Sequence, residues 1–342
     1  MDSWRMPTQG VRISVIGRYL RLSKRQGGLF LLVFFLFLVF LAFCVSTLNG
    51  LPVDKSTGLP QGSFVGHHNL LEQKFTLVLQ TFNRSDLLIK LLNHYSGIHQ
   101  LSRIIVVWNN VGEPPPVNAW RKYDPHPVPV HFIQQDHNRM RNRLHPFSEI
   151  DTEAVLILDD DILVSANDIT FAFSVWQQFS DQIVGFVPRK HVLSENGVYT
   201  YGSRELEAHP RDVLYYGDRY YSLVLIGAAF VHFDYLKMFK TTVPQAVNDL
   251  IDETQNCDDL VFNVMVGKAL GNRKPTGVYV RPSDMRNLEA EAESGYKGMW
   301  HRADHLLERS YCLNRLAKVY GQLQLPYSKL EITQFSSSAC NK

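Results

Sequence analysis

From residue 75 onward, short runs rich in Val, Ile and Leu each break off into polar residues. FTLVL runs into Gln80 and Thr81, RIIVVW into Asn109 and Asn110, VPVHFI into Gln134 and Gln135, and AVLIL into Asp159, Asp160 and Asp161. Apolar runs of this length without alternation describe strands buried on both faces, and Leu87, Leu88, Leu91, Leu92 and Tyr95 lie at helical spacing between the first two. The pattern specifies an α/β fold, a sheet flanked by helices. In such open sheets the ligand crevice lies beyond the carboxyl ends of the strands, so four polar strand ends are expected at one cleft. Downstream, 168–179 reads as a helix, 183–188 as a strand, 199–219 as an irregular Tyr-rich stretch and 221–233 as one long buried strand containing a glycine. Residues 258–270 and 303–320 have helical periodicity.

The amino-terminal part has a different texture. Residues 27–53 contain no charge, and 29–45 are almost wholly Leu, Phe, Val and Ala, long enough as a helix to cross a hydrocarbon core of about 30 Å. Arg5, Arg12, Arg18, Arg21, Lys24 and Arg25 precede the run against the single acid Asp2, which by the positive-inside rule keeps that flank cytoplasmic. A cleaved signal peptide is the rival reading, and the long basic region with an indifferent cleavage site after Cys44 argues for a retained anchor. The expected order is a cytoplasmic basic tail (1–26), a transmembrane signal anchor (27–48), a stem (49–73) and a lumenal domain (74–342), in a single-pass type II protein. Removing the six basic residues and one acid of the tail from totals of 35 and 33 leaves 29 basic and 32 acidic residues beyond it. A near-neutral domain offers no broad surface for nucleic acid. Cys44 falls in the apolar run, and Cys257, Cys312 and Cys340 remain. An oxidising lumen would pair at least two of these, and the sequence by itself leaves the connectivity open.

The acidic triplet is the strongest chemical signal. A buried strand that delivers three carboxylates at its tip does not keep them there for packing, because clustered uncompensated charge is costly. Oxygen-only ligands and alternating side chains at Asp159 and Asp161 suit a hard divalent ion, Mn²⁺ or Mg²⁺, shared with substrate phosphates; the bland reading is a solvated acidic turn. Arg139 and Arg143, four residues apart, would share a helical face and could offset a diphosphate. Gln80, Arg84 and Asn109 follow strands at positions suited to reading a base, a ribose or a phosphate, with ordinary turn chemistry as the alternative for Asn110. Asn83-Arg84-Ser85 is also a glycosylation sequon, expected to be unmodified at the mouth of a cleft. Asp258 and Asp259 open a helix, where they either complement its dipole or supply the carboxylate that a reaction at an anomeric carbon requires. These features point to a glycosyltransferase using a metal-bound sugar nucleotide. A metal-dependent phosphoryl-transfer enzyme and a non-catalytic lumenal sugar-binding escort share enough of them to stand as rivals.

Longer motifs sharpen the reading. FTLVLQTFNR, LLNHY, IIVVWNN, NRMRNRL, LDDD, FAFSVWQQF, DQIVGFVPRKHV, TQNCDD, GMWHRADH and RSYC span residues 75 to about 334, and together they resemble the exostosin family. The resemblance implies a GT-A fold with a DXD-type metal motif and a retaining α1,4 transfer of N-acetylhexosamine. The donor would be UDP-GlcNAc or UDP-GalNAc, and the acceptor glucuronic acid of the glycosaminoglycan (heparan sulfate) linkage region, in the endoplasmic reticulum or Golgi membrane. Carried over by motif, Gln80, Arg84, Asn109, Asn138, Arg143, Asp159 and Asp160 would contact the UDP-sugar and Asp161 would hold Mn²⁺. Asp259 would lie on the reacting face of the sugar, with Asp258 beside it and Arg309 near the diphosphate, and Cys257 would pair with Cys312. Residues 205–218 depart most from the family pattern. Oligomeric state is open, a homodimer included.

Overall fold

The computed structural model describes residues 73–116, 126–203 and 220–334, apart from 272, 294, 296–300 and 324. The expected tail and anchor, the expected stem up to residue 72, residues 204–219, Trp300, Cys44 and Cys340 lie outside them, and the described part of the stretch expected to be irregular, Tyr199–Ser203, is a strand. Among the described residues no helix is long and apolar enough to cross a membrane.

The predicted strands form one half of an eight-stranded mixed sheet. That half is parallel throughout: β1 (Phe75–Thr81), β2 (Leu101–Trp108), β3 (Val130–Gln134) and β4 (Ala154–Asp159), in the spatial order β3, β2, β1, β4 from one edge inward. The register pairs Gln80 with both Val107 and Asp159, and Trp108 with Gln134, so the four polar strand ends meet at one edge. Side chains along β1, β2 and β4 alternate between two cores. Val78, Ile105, Val107, Val155 and Ile157 face one, and Leu77, Leu79, Ile104, Val106, Leu156 and Leu158 face the other. That two-sided burial is why these runs read as continuous apolar stretches.

Helix α1 (Ser85–Tyr95) buries Leu87, Leu88, Leu91, Leu92 and Tyr95, all five residues expected from spacing. Between β4 and the far half of the sheet lie β5 (Ile162–Val164) and α2 (Ala166–Trp176), the latter capped by Ser165, whose Oγ accepts from Asp168 N. Strand β6 (Ile183–Gly185) belongs to the main sheet, whereas β7 (Pro188–Leu193) joins β8 (Tyr199–Ser203) and β9 (Leu223–Val224) in a separate three-stranded sheet.

The single strand expected over 221–233 is two strands in two sheets: β9, then β10 (Ala228–His232) running antiparallel to β4. The chain breaks between them at Gly227, whose carbonyl accepts from Asp159 N at 2.8 Å. Three helices follow, α3 (Phe233–Thr242), α4 (Gln245–Thr254) and α5 (Asp258–Ala269). The main sheet is completed by β11 (Gly277–Arg281) and β13 (Glu331–Thr333); β12 (Met285–Asn287) pairs with β5, and α6 (His305–Tyr320) packs against α5.

Candidate active site

The carboxyl edge of β1, β2 and β4 carries a network of carboxylates bound to buried guanidiniums. Asp159 is the last residue of β4, and Asp160 and Asp161 occupy the turn into β5. The three side chains do not converge on one point. Arg84, just beyond β1 and 5% exposed, donates through Nη1 to Asp160 Oδ1 (2.8 Å) and Asp161 Oδ2 (3.0 Å). Thr81 Oγ1 donates to the other oxygen of Asp160 at 2.7 Å. Asp159 instead accepts from Arg143 Nη1, so the expected alternation of Asp159 and Asp161 on one cation is replaced by two arginines that split the triplet.

Arg143 also donates through Nε to Asp258 Oδ2 (2.8 Å), and its backbone N–H reaches Gln80 Oε1 (2.9 Å). It lies in the 3-10 turn Met140–Leu144, whereas Arg139 stands outside the turn in extended backbone (φ −130°, ψ 139°). The two therefore do not share a helical face. Arg139 and Arg141 turn to Asp252, at 3.4 and 2.8 Å, and Arg143 alone enters the network. Asn109, fully buried, donates to Asn138 Oδ1 (3.0 Å) and accepts from Asn142 Nδ2 (2.9 Å). This ties the end of β2 to the segment carrying Arg143. Asn110 has turn chemistry: its Oδ1 accepts from Asn83 N (2.7 Å), holding Asn83 at φ 57°. Asn83 itself is exposed.

The second acid pair opens α5. Gln255 and Cys257 both have positive φ, and this tight turn delivers Asp258 and Asp259 into the site, each at most 5% exposed. Asp258 faces Arg143. Asp259 Oδ2 accepts from Arg309 Nη2 on α6, while Asp259 Oδ1 is buried without a hydrogen-bond partner. Arg309 is held on three sides: Asn256 Oδ1 accepts from Nη1 at 3.0 Å, the Tyr201 ring lies 4.6 Å below the guanidinium, and Cys312, one turn along α6, is bonded to Cys257. The disulfide pairing implied by the family resemblance is present, with a Cα–Cα distance of 6.3 Å.

Sequence reading missed three contributors. Glu289, 8% exposed, follows β12 and approaches Arg84 Nη2 at 3.6 Å while His301 Nε2 lies 2.7 Å from its other oxygen; nothing in its local sequence marks it. Thr81 appears only as a polar strand end. Gly227 sits where a Cβ would lie 2.1 Å from Asp159 Oδ2, and its signal was available, since glycine inside an apolar strand marks close approach of another group.

Six carboxylates (Asp159, Asp160, Asp161, Asp258, Asp259, Glu289) thus meet three guanidiniums (Arg84, Arg143, Arg309). The excess negative charge is visible in protonation. Desolvation, only partly offset by Arg84, and the neighbouring Asp161 push Asp160 up to about 6. Desolvation and the carboxylates of Asp161, Asp258 and Asp160 push Asp159 up against the pull of Arg143. The donor set is hard oxygen with a charge deficit, which fits a divalent cation. Among the described residues no three carboxylates, imidazoles or thiolates gather at metal-ligand spacing, so such a cation would complete its shell from substrate oxygens and water.

Residues 75–336 match the glycosyl transferase family 64 domain. The chain is 54% identical to human exostosin-like 2 over 78% of its own length and 79% of that protein. It is 31% identical to human exostosin-2 over 74% of its length and 33% of the relative's. It is 28% identical to glycosylinositol phosphorylceramide mannosyl transferase 1 of Arabidopsis thaliana, over 75% of each chain.

Proposed function

The chain belongs to glycosyl transferase family 64, the exostosin family, and on that premise we propose that it is a retaining α1,4-N-acetylhexosaminyltransferase. In this reading it moves GlcNAc or GalNAc from a UDP-sugar to glucuronic acid of the heparan sulfate linkage region, with its catalytic domain in the endoplasmic reticulum or Golgi lumen behind an amino-terminal anchor. One observation carries the reading: Asp259 Oδ1, a charged oxygen buried without a partner on a carboxylate whose other oxygen is clamped by Arg309. A lone buried carboxylate oxygen is costly and is retained where positive charge develops, as it does at an anomeric carbon when the glycosidic bond to phosphate breaks.

The roles divide by position. Gln80 at the end of β1 and Asn138 in the segment after β3 supply amides for a uracil and ribose, and Asn109, buried with its own amide on Asn138 and Asn142, would reach the nucleotide by giving up one of those bonds. Arg84, Arg143 and Arg309 exchange part of their carboxylate contacts for the diphosphate and stabilise the departing UDP. Asp161 would hold Mn²⁺, whose contribution is Lewis-acid stabilisation of the leaving diphosphate, and Asp159 and Asp160 would contact the UDP-sugar. Asp259 Oδ1 steadies oxocarbenium character on the sugar face that retention requires, and Asp258 keeps Arg143 in place. The match to a mannosyl transferase shows why donor and acceptor have to be measured rather than read from the fold.

The test is an assay of the full chain with a panel of UDP-sugars and a glucuronyl acceptor, with and without chelator. N-acetylhexosamine transfer that chelator abolishes, with α-configured product, is the expected result. Release of phosphate instead of sugar transfer would favour a phosphoryl-transfer enzyme. UDP binding without turnover would favour an escort.

A further inference from the structure

Helix α5, which carries Asp258 and Asp259 in its first turn, is surrounded by protein: every residue from Asp258 to Gly267 is buried. A helix that is buried all round has no amphipathic face to fix its rotation about its own axis, so directional bonds have to set it. Asn263, one turn after Asp259 and fully buried, supplies them. Its Nδ2 donates to Val224 O and to Asp259 O, both at 2.8 Å, and its Oδ1 accepts from Val224 N (3.1 Å) and Thr276 Oγ1 (3.0 Å). The amide uses all four of its bonding positions.

The partner that this amide grips is itself fixed. Around β9, Ser222 N and Leu225 N donate to Arg189 O and Val187 O, and Val224 turns its own N–H and carbonyl the other way, to Asn263. Asn263 therefore pairs with Val224 as a neighbouring strand would. The Val224 side chain is wedged into the main sheet between two glycines. A Cβ on Gly185 would lie 2.8 Å from Val224 Cγ1, and one on Gly277 2.7 Å from Cγ2, so the seat is open only because both residues are glycine. Three residues beyond Val224, Gly227 O accepts from Asp159 N, so the strand that holds α5 also holds the end of β4. Satisfying Val224 takes two of the four bonds. The bond to Asp259 O is not needed for that, since the helix already supplies this carbonyl with a donor of its own.

We propose that Asn263 is a positioning residue for sugar transfer: it locks the rotation of α5 against β9 and so aims the Asp259 carboxylate, with its unpartnered Oδ1, relative to the end of β4. This rests on the reading of Asp259 as the carboxylate that steadies charge on the sugar.

A double-mutant cycle in the full chain tests it, with kcat for N-acetylhexosamine transfer expressed per UDP-binding site so that unfolded protein is not counted. Asn263→Asp keeps the shape of the side chain and sets a carboxylate oxygen against the two carbonyls that Nδ2 held. Its kcat is expected to fall about tenfold or more in the wild-type background and by less than about twofold in Asp259→Asn. The same factor in both backgrounds is what a merely structural residue would give, and it would overturn the proposal. Thr276→Val removes a donor to Oδ1 and leaves the Asp259 bond, so the thermal midpoint should drop while kcat stays within about twofold; a kcat as low as that of Asn263→Asp would also overturn it. If Asn263→Asp does not fold, Val224→Ala takes its place, since it empties the seat and keeps every hydrogen bond, and the same dependence on Asp259 is expected. Amide hydrogen exchange separates this inference from the reading it rests on. Faster exchange over 258–266 in Asn263→Asp, alongside a wild type that transfers no sugar, would sink the transferase reading and leave the anchor standing. Unchanged exchange there would overturn the anchor itself.

Discussion

A methyl group on Gly227 would lie 2.1 Å from Asp159 Oδ2 and 2.7 Å from its carboxyl carbon, a separation that the present rotamer of Asp159 does not tolerate. The atoms in the way are the end of a side chain, so Gly227→Ala is expected to swing the Asp159 carboxylate off Arg143 rather than to unfold β10. The donor KM should rise about tenfold or more while the thermal midpoint moves by a few degrees at most; a normal KM would show that Asp159 is not held by this contact. Asp259→Asn makes the complementary case. It keeps the shape of the side chain and removes its charge, so kcat should fall by about 10²–10³-fold, the scale of one preorganised charge-stabilising contact, with UDP affinity nearly unchanged. The five aspartates and Arg84 were legible in sequence because they sit at strand or helix ends where packing has no use for them, whereas Arg309, inside α6, came only through the family motif. Thr81 and Glu289 were not, because their roles come from partners far away in the chain, Asp160 being 79 residues from Thr81.

At the scale of elements, the strands and helices read correctly were those with a dominant periodicity, α1 above all. The failures have two causes, short helices with few buried residues and a chain break hidden inside a wholly buried run. Helices α3 and α4 bury three residues each (Tyr235, Leu236 and Phe239; Val247, Leu250 and Ile251), too few to stand out against polar faces. The apolar run over 221–233 hid its break because both strands it feeds are buried, and only the proximity of Asp159 explains why the chain leaves one sheet for the other there. Between α5 and α6 the Cys257–Cys312 bond closes a 55-residue separation. It also sits one turn from Arg309, so the bond both constrains the unfolded chain and presses Arg309 onto Asp259. Cys312→Ser under oxidising conditions should cost about 2–4 kcal/mol in denaturant unfolding. Because α6 is then free to shift, kcat should fall more than the donor KM rises. An unaltered kcat in a destabilised variant would assign the bond to stability alone.

The molecule as a whole sets histidines and carboxylates against each other as pH changes. His191 is 5% exposed, stacked 5.1 Å from Tyr327, with Ser222 Oγ 2.7 Å from Nδ1. That hydroxyl already accepts from His191 N, which leaves its hydrogen for Nδ1 and fixes a neutral ring. Burial lowers the His191 pKa to about 4, and His232 moves in the same direction. With a native pKa below the unfolded value of about 6.5, the unfolded chain binds the extra proton between these limits. Stability from this group is therefore complete above about pH 6.5 and lost as pH falls toward 4, by at most ~3 kcal/mol. Asp160, raised to about 6, acts oppositely: the native state binds its proton first, so its contribution is present at low pH and lost as pH rises through 6. The net slope of the wild type mixes the two signs, and a difference measurement separates them. His191→Gln keeps an acceptor for Ser222 and removes the titration. Its unfolding free energy, followed by urea denaturation from pH 4 to 7, should lose up to one proton's worth of slope relative to the wild type below pH 6.5 and run parallel to it above. Parallel curves throughout would mean that His191 is protonated in the native state, and that the buried ring does not make this fold acid-sensitive.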